Sequence, residues 1–259
     1  MIKRIGLCLL VILVLLALML GYQRWHTHHS TVAFPPGWQV TTPGMEVRQC
    51  SWHTSSDDVA ELLAVRIDPA RCAIRVLDAR PGGGAAGNWA EMICPRQGAV
   101  INGCFFGDNH QPIGLLVVDG QVRQRDVVRQ DFATFQLRGR RPEIVDSSAK
   151  VARGVTQALE CKPRLLVNGR SPHFKPQGIA SRAAIGITAS GRVVLAATGS
   201  LITLEEWASC LREQCGCVNA LNLDGGPSTQ LTVQGKVNAE VHGGSSVPVF
   251  LVVTPGTGS

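Results

Sequence analysis

Apolar and polar positions along this chain follow two periods. From residue 60 onward, short apolar runs are broken by tight polar turns that end in glycine. Residues 62–67 and 73–77 flank Asp68-Pro69-Ala70-Arg71, residues 113–118 and 121–122 flank Asp119-Gly120, and residues 165–167 precede Asn168-Gly169. Further on, residues 183–188 and 192–197 flank Ser190-Gly191, and residues 231–233 and 236–237 flank Gln234-Gly235. Asp-Gly and Asn-Gly tolerate the positive φ of primed turns, so the pattern predicts β-hairpins. Phe132, Thr134 and Gln136 alternate with Ala133, Phe135 and Leu137, the period of a half-buried strand. A helical period is clear once. Leu204, Trp207, Ala208 and Leu211 share one face, Thr203 and Glu206 make a capping box before it, and Gly216 stops it. A shorter helix is predicted from Asn88. The hairpins share no fixed period, which excludes a repeat protein. The class that fits is α+β: a mainly antiparallel or mixed β-sheet built from hairpins, with a few covering helices.

The N-terminus has a different pattern. Lys3 and Arg4 precede an apolar stretch over residues 5–21. That is near the lower limit for a membrane-spanning helix and slightly long for a signal-peptide core. Small-x-small cleavage signals are poor, because bulky Met19, Leu20, Tyr22 and Trp25 follow the isolated Ala17. The expectation is therefore a single transmembrane helix within residues 1–25, with the N-terminus cytoplasmic by the positive-inside rule. A linker over 26–45 and one domain over 46–259 follow, the domain lying in the periplasm or outside the cell. The alternative is secretion after signal cleavage.

Composition refines this picture in three ways. Of 259 residues 45% are hydrophobic but only 5% aromatic, so aliphatic side chains must fill a sizeable core. The formal net charge of +6 is partly due to Lys3, Arg4 and Arg24 around the apolar segment. What remains is a mild basic excess with no Lys/Arg cluster interleaved with aromatics, so no nucleic-acid partner is expected. An anionic substrate stays open. Nine cysteines are present, and Cys8 lies in the apolar segment. The even remainder (Cys50, Cys72, Cys94, Cys104, Cys161, Cys210, Cys215 and Cys217) leads us to expect disulfides in an exported domain. Cys50 with Cys72 and Cys94 with Cys104 are the local candidates. Cys215-Gly216-Cys217 has no companion pair at zinc-ribbon spacing, so no metal site is expected.

Three polar clusters interrupt apolar runs and can do chemistry. Asn102 ends the run Ala99-Val100-Ile101 and is followed by Gly103; its amide can serve a ligand or fix a turn. Arg182 stands at the mouth of Ala183-Ala184-Ile185, where a guanidinium can bind phosphate or make a structural ion pair. The third cluster is Leu221-Asn222-Leu223-Asp224-Gly225-Gly226-Pro227-Ser228-Thr229. An apolar run delivers a carboxylate to its tip, and glycines then allow close approach of backbone N–H groups to a ligand. Asp224 could act as acid, base or nucleophile, or merely cap a turn. Neither a Walker motif nor a Gly-x-Ser-x-Gly elbow is present.

In this order the clusters resemble the phosphodiester glycosidase family. Its Asn-Gly-Gly-Phe-Phe is similar to Asn102-Gly103-Cys104-Phe105-Phe106, and its Gly-rich hairpin to Pro112-Ile113-Gly114-Leu115 with Asp119-Gly120. Its Arg before Ala-Ile-Gly resembles Arg182-Ala183-Ala184-Ile185-Gly186-Ile187, and its Leu-Asp-Gly-Gly-x-Ser resembles Leu223-Asp224-Gly225-Gly226-Pro227-Ser228. The likeness spans residues 60–253. Three features depart from the family pattern. Cys104 replaces a glycine, Pro227 takes a position where glycine or a bulkier residue is common, and 242–246 lacks the Glu–Arg pair of many relatives.

The resemblance implies hydrolysis of a sugar-1-phosphodiester of an envelope or extracellular glycoconjugate. Asp224 would stabilise an oxocarbenium-like transition state or activate water. Arg182, Gly225 and Gly226 would carry the leaving phosphate. Asn102 and Ser228 would position substrate, with Gly103, Phe105 and Thr229 beside it. The second carboxylate is open, Asp108 and Asp119 being secondary candidates. No cofactor is needed. The alternative is a non-catalytic, membrane-anchored module that binds polysaccharide or another envelope component, a reading favoured by the missing Glu–Arg pair.

Overall fold

Turn chemistry decides much of the architecture seen in the computed structural model, which describes residues 37–94, 96–125, 131–147, 153–175 and 177–256. β1 (Gln39–Thr42), β2 (Met45–His53), β3 (Val59–Ile67) and β4 (Cys72–Asp78) come first, then helix α1 (Ala86–Ile93) and β5 (Gly98–Asn102). The middle holds β6 (Leu116–Val118), β7 (Gln121–Gln124), β8 (Ala133–Arg138), β9 (Arg141–Asp146), β10 (Val155–Cys161) and β11 (Arg164–Leu166). The last part comprises β12 (Ala180–Thr188), β13 (Val193–Ile202), helix α2 (Leu204–Cys215), β14 (Cys217–Asn222), β15 (Leu231–Gln234), β16 (Ala239–Val241) and β17 (Val249–Pro255).

The strands form three sheets, ordered β1-β2-β3-β13-β12-β14-β11, β7-β6-β10-β8-β9 and β16-β15-β5-β17-β4. Every strand pairing is antiparallel. This is the expected α+β class. The Asp119-Gly120 turn joins β6 to β7 with φ of 49° and 79°, the left-handed pair that a primed hairpin turn requires. Ser190-Gly191 also joins β12 to β13, with Gly191 but not Ser190 at positive φ. Asp68-Pro69-Ala70-Arg71 does not make a hairpin: β3 and β4 lie in different sheets, so this turn passes the chain between layers. The 132–137 segment is buried on both faces rather than half-buried: Ala133, Phe135 and Leu137 enter the shared core, and Phe132, Thr134 and Gln136 on the opposite face are buried as well.

One large core draws on all three sheets, with Val65, Ile185 and Leu221 from the first, Phe135 and Leu159 from the second, and Ile101 and Leu251 from the third. Helix α2 covers the outer face of the first sheet, burying Trp207 and Leu211 against Ala184, Val194 and Ala196. It keeps the expected capping box at Thr203 and Glu206 and ends at Gly216 with φ of 69°. Helix α1 starts before Asn88 and packs Ala86 and Ala90 on Val100 and Phe250.

Two expectations change. β1 lies inside residues 26–45, so the domain begins before residue 46. All eight cysteines of the domain are free thiols. Cys50 lies on β2 beside Gln214, whereas Cys72 opens β4 in another sheet and points at the Pro43 carbonyl. Cys94 and Cys104 are separated by the length of β5, on the order of 15 Å, against the roughly 6 Å between Cα atoms that a disulfide needs. Neither local pair can close. The anchor expected within residues 1–25, with its membrane contact, lies outside the described residues. Among the described residues no helix is long and apolar enough to cross a membrane.

Candidate active site

The C-terminal tips of β5, β10 and β14 meet at one place, and Asp224 stands there. Alternation along β14 sends Leu221 and Leu223 into the large core and Ala220 toward α2. The chain then leaves the sheet. The Leu223 N–H donates to the Ala183 carbonyl at 2.9 Å, and the Asp224 N–H to the Gly103 carbonyl at 3.0 Å. The Asn222 N–H donates to Pro163 at 3.0 Å, beyond the end of β10.

The Asp224 side chain is half-buried. Its Oδ1 accepts the Gly225 N–H at 3.0 Å, and the Ser228 hydroxyl also donates to the carboxylate. Burial raises the carboxyl above its ordinary value, and those two hydrogen bonds only partly offset it. Among the described residues no cation contributes to this shift.

Asn102 is fully buried and belongs to the scaffold. Its Nδ2 donates to the Asp224 main-chain carbonyl at 2.7 Å, and its Oδ1 accepts from the Gln230 N–H at 3.0 Å. Gly103 is required by close packing: a Cβ there would lie 2.7 Å from Val249 Cγ1 and 3.0 Å from the Val249 carbonyl oxygen. Gly225 gives its N–H to Asp224, so that donor is not offered to a phosphate. Gly226 takes φ of 58°, and its carbonyl accepts from the Ser181 hydroxyl at 3.1 Å. Ser228 and Thr229 are buried, and the Thr229 hydroxyl has no partner among the described residues. Phe105 is half-buried at the mouth.

Arg182 does not join this group. Ala183 and Ile185 point into the large core, and Arg182 alternates with them onto the α2 side of the sheet. Its guanidinium donates to the Gly178 carbonyl at 2.9 Å and the Ile202 carbonyl at 3.3 Å. Burial lowers its pKa, and Glu205 is the carboxylate that acts on it. Asp108 is exposed at the start of a short 3-10 helix, Asp108–His110, and Asp119 accepts from Gln157 at 2.8 Å.

The structure adds a carboxylate that the sequence did not single out. Asp78 ends β4 and is gripped by Arg80, with Nε–Oδ1 at 2.8 Å and Nη2–Oδ2 at 2.6 Å. The Arg80 hydrogen bond lowers Asp78 below its ordinary value. Asp78 and Asp224 both act on the buried Cys104 thiol, which burial chiefly pushes up to about 12. Both carboxylates are within electrostatic reach of Cys104, and their pKa values are displaced in opposite directions. The missed signal was the same as at Asp224: an apolar run ending in Asp. The departures at Pro227 and 242–246 also meet here, since the Pro227 carbonyl accepts from the Gly244 N–H at 2.8 Å and the Ser245 N–H at 3.0 Å.

The fold recurs in solved structures. A hypothetical protein from Synechocystis is 20% identical with a TM-score of 0.59, over 85% of this chain and 64% of that one. The zebrafish N-acetylglucosamine-1-phosphodiester alpha-N-acetylglucosaminidase catalytic domain, auto-inhibited by its pro-peptide, is 16% identical with a TM-score of 0.64, over 86% of this chain and 84% of that one. A Burkholderia pseudomallei protein is 13% identical with a TM-score of 0.54, over 77% and 75%. At these identities the likeness is one of fold. No curated protein matches the chain at a significant level. Residues 96–254 match the phosphodiester glycosidase family, to which this chain therefore belongs.

Proposed function

We propose that this chain hydrolyses the glycosyl–phosphate bond of a sugar-1-phosphodiester in an envelope or extracellular glycoconjugate. The observation that carries this reading is the Asp224 carboxyl, placed at a strand tip and raised by burial, in a member of this family. A raised carboxyl sits nearer the pH at which an enzyme works, as a general base should. Asp224 takes the proton of the water that attacks the anomeric carbon, and its negative charge stabilises the oxocarbenium-like centre. Asp78, held ionised by Arg80, pairs with Val249, whose carbonyl accepts from Gly103 beside Asp224, and is the second carboxylate we assign to that centre. The phosphate departs as an anion and needs no proton. Asn102 and Gly103 fix the main chain that presents Asp224, and Arg182 acts at a distance by holding Gly178. The apolar segment behind Lys3 and Arg4 supports a membrane-anchored domain outside the cytoplasm.

Hydrolysis in ¹⁸O-labelled water tests the bond assignment. Label in the released sugar hydroxyl supports it; label in the phosphate means P–O cleavage and sinks it. The second reading, a non-catalytic polysaccharide- or envelope-binding module, is favoured by the 242–246 segment, which lacks the Glu–Arg pair and lies on Pro227.

A further inference from the structure

Lys162 and Pro163 follow β10, and their carbonyls accept from Asn222, two residues before Asp224. Phe105 lies two residues beyond Gly103, which accepts from Asp224 itself. These two segments form one side of a cavity of about 540 Å³, and His173, Phe174 and Lys175 form another. Such a volume suits a small ligand. Asp224 is not in the lining, but both segments on that side are hydrogen-bonded to the end of β14 that carries it.

The charges in this cavity are unbalanced. Lys162 Nζ lies 3.0 Å from Asp131 and 5.3 Å from the centroid of the Phe132 ring, which fixes its amine. Among the described residues neither Lys175 nor His173 has an ion-pair partner, and both are exposed. Among the described lining residues the two lysines, Lys162 and Lys175, outnumber the single carboxylate, Asp131. Phe174 is buried and Phe105 half-buried, giving apolar surface beside the cations. Arg182 has a place here, since the Gly178 carbonyl it grips is next to Gln177 of the lining.

We propose that this cavity is the leaving-group subsite, in which Lys162, His173 and Lys175 hold the phosphate of a compact phosphomonoester and the two phenylalanines face its organic part. The proposal rests on the hydrolase reading, since it names where the phosphate goes once the glycosyl bond breaks. Lysine ammonium groups hold phosphate through charge-assisted hydrogen bonds.

Calorimetric titration of the full-length chain with glycerol 3-phosphate tests this, with glycerol as the uncharged control. Wild type and Asp224→Asn are expected to bind the phosphate ester and not glycerol. Lys175→Gln and Lys162→Gln should each weaken that binding about tenfold. In turnover of a sugar-1-phosphodiester, the same lysine variants should lower kcat/KM, because they remove charge that faces the departing phosphate. Absent phosphate-ester binding, or binding indifferent to both lysines, overturns the subsite even if hydrolysis is observed. Binding that follows the lysines in a protein without hydrolase activity overturns the hydrolase reading and leaves an anion site.

Discussion

Asn102 Nδ2 donates to the main-chain carbonyl of Asp224 at 2.7 Å, tying the tip of β5 to the tip of β14 across two different sheets. Because its Oδ1 also takes the Gln230 N–H, one buried amide satisfies two main-chain groups. Asn102→Ala leaves both unsatisfied, and each costs about 1–3 kcal/mol. We expect a stability loss of about 2–4 kcal/mol by urea denaturation, with kcat falling and KM less affected. A variant as stable as wild type contradicts the staple role.

Gly103 allows β5 and β17 to approach closely. In Gly103→Ala the new methyl meets Val249 Cγ1 and the Val249 carbonyl, and the strand must move. Thermal unfolding should show a loss of about 1–3 kcal/mol, the usual range for overpacking. Val249→Ala in the same background should recover part of it, since the closer of the two contacts is a side-chain atom.

Asp224 and Asp78 make opposite pH predictions. Because Asp224 is raised in the folded state, folded protein binds more protons than unfolded protein between the ordinary aspartate value and the raised one. Stability from this residue falls as pH rises through that window and stays low above it. Asp224→Asn should therefore unfold at a higher temperature than wild type at neutral pH, with the advantage shrinking in acid. Because Asp78 is lowered, its contribution is present above the ordinary aspartate value and is lost as pH falls through the depressed value. Asp78→Asn should be less stable than wild type at neutral pH, with the gap closing in acid. Melting curves from about pH 3 to pH 8 check both signs.

The domain thiols should behave as buried groups. Burial pushes Cys104 and Cys217 up to about 12 and Cys72 and Cys94 up to about 11, so little thiolate forms at neutral pH. Native protein treated with iodoacetamide should label at Cys50, the part-exposed thiol, well before the others. Denatured, unreduced protein should label at all eight. Peptides linked by a disulfide in a mass map would contradict the free-thiol arrangement.

Much of the site was legible because strand tips leave a plain pattern. An apolar run ending in Asp before two glycines marked Asp224, and the capping box and Gly216 marked α2. The hairpins at Asp119-Gly120 and Ser190-Gly191 were legible because positive φ restricts residue choice. The turn at 68–71 was misread because local sequence does not distinguish a return within one sheet from a passage between two. The face of Arg182 was not legible for a related reason: alternation puts it opposite Ala183, but only the packing of α2 shows which face that is. The sequence left the Asn102 amide open between a ligand contact and a turn, because its partners in the fold, Asp224 and Gln230, are distant in sequence. The two departures from the family pattern, Pro227 and 242–246, looked independent, and only the fold shows them hydrogen-bonded. The thiols were misjudged by count, since an even number of cysteines says nothing about which sheets they lie on.

The measurement that tests the central claim most directly is kcat/KM for release of free sugar from a panel of sugar-1-phosphodiesters, wild type beside Asp224→Asn. A general base contributes about 10²–10⁴-fold. The account predicts turnover of at least one sugar by wild type and a loss of that size in the variant, which should remain folded. Absence of turnover across the panel, or turnover unchanged by the substitution, would contradict it.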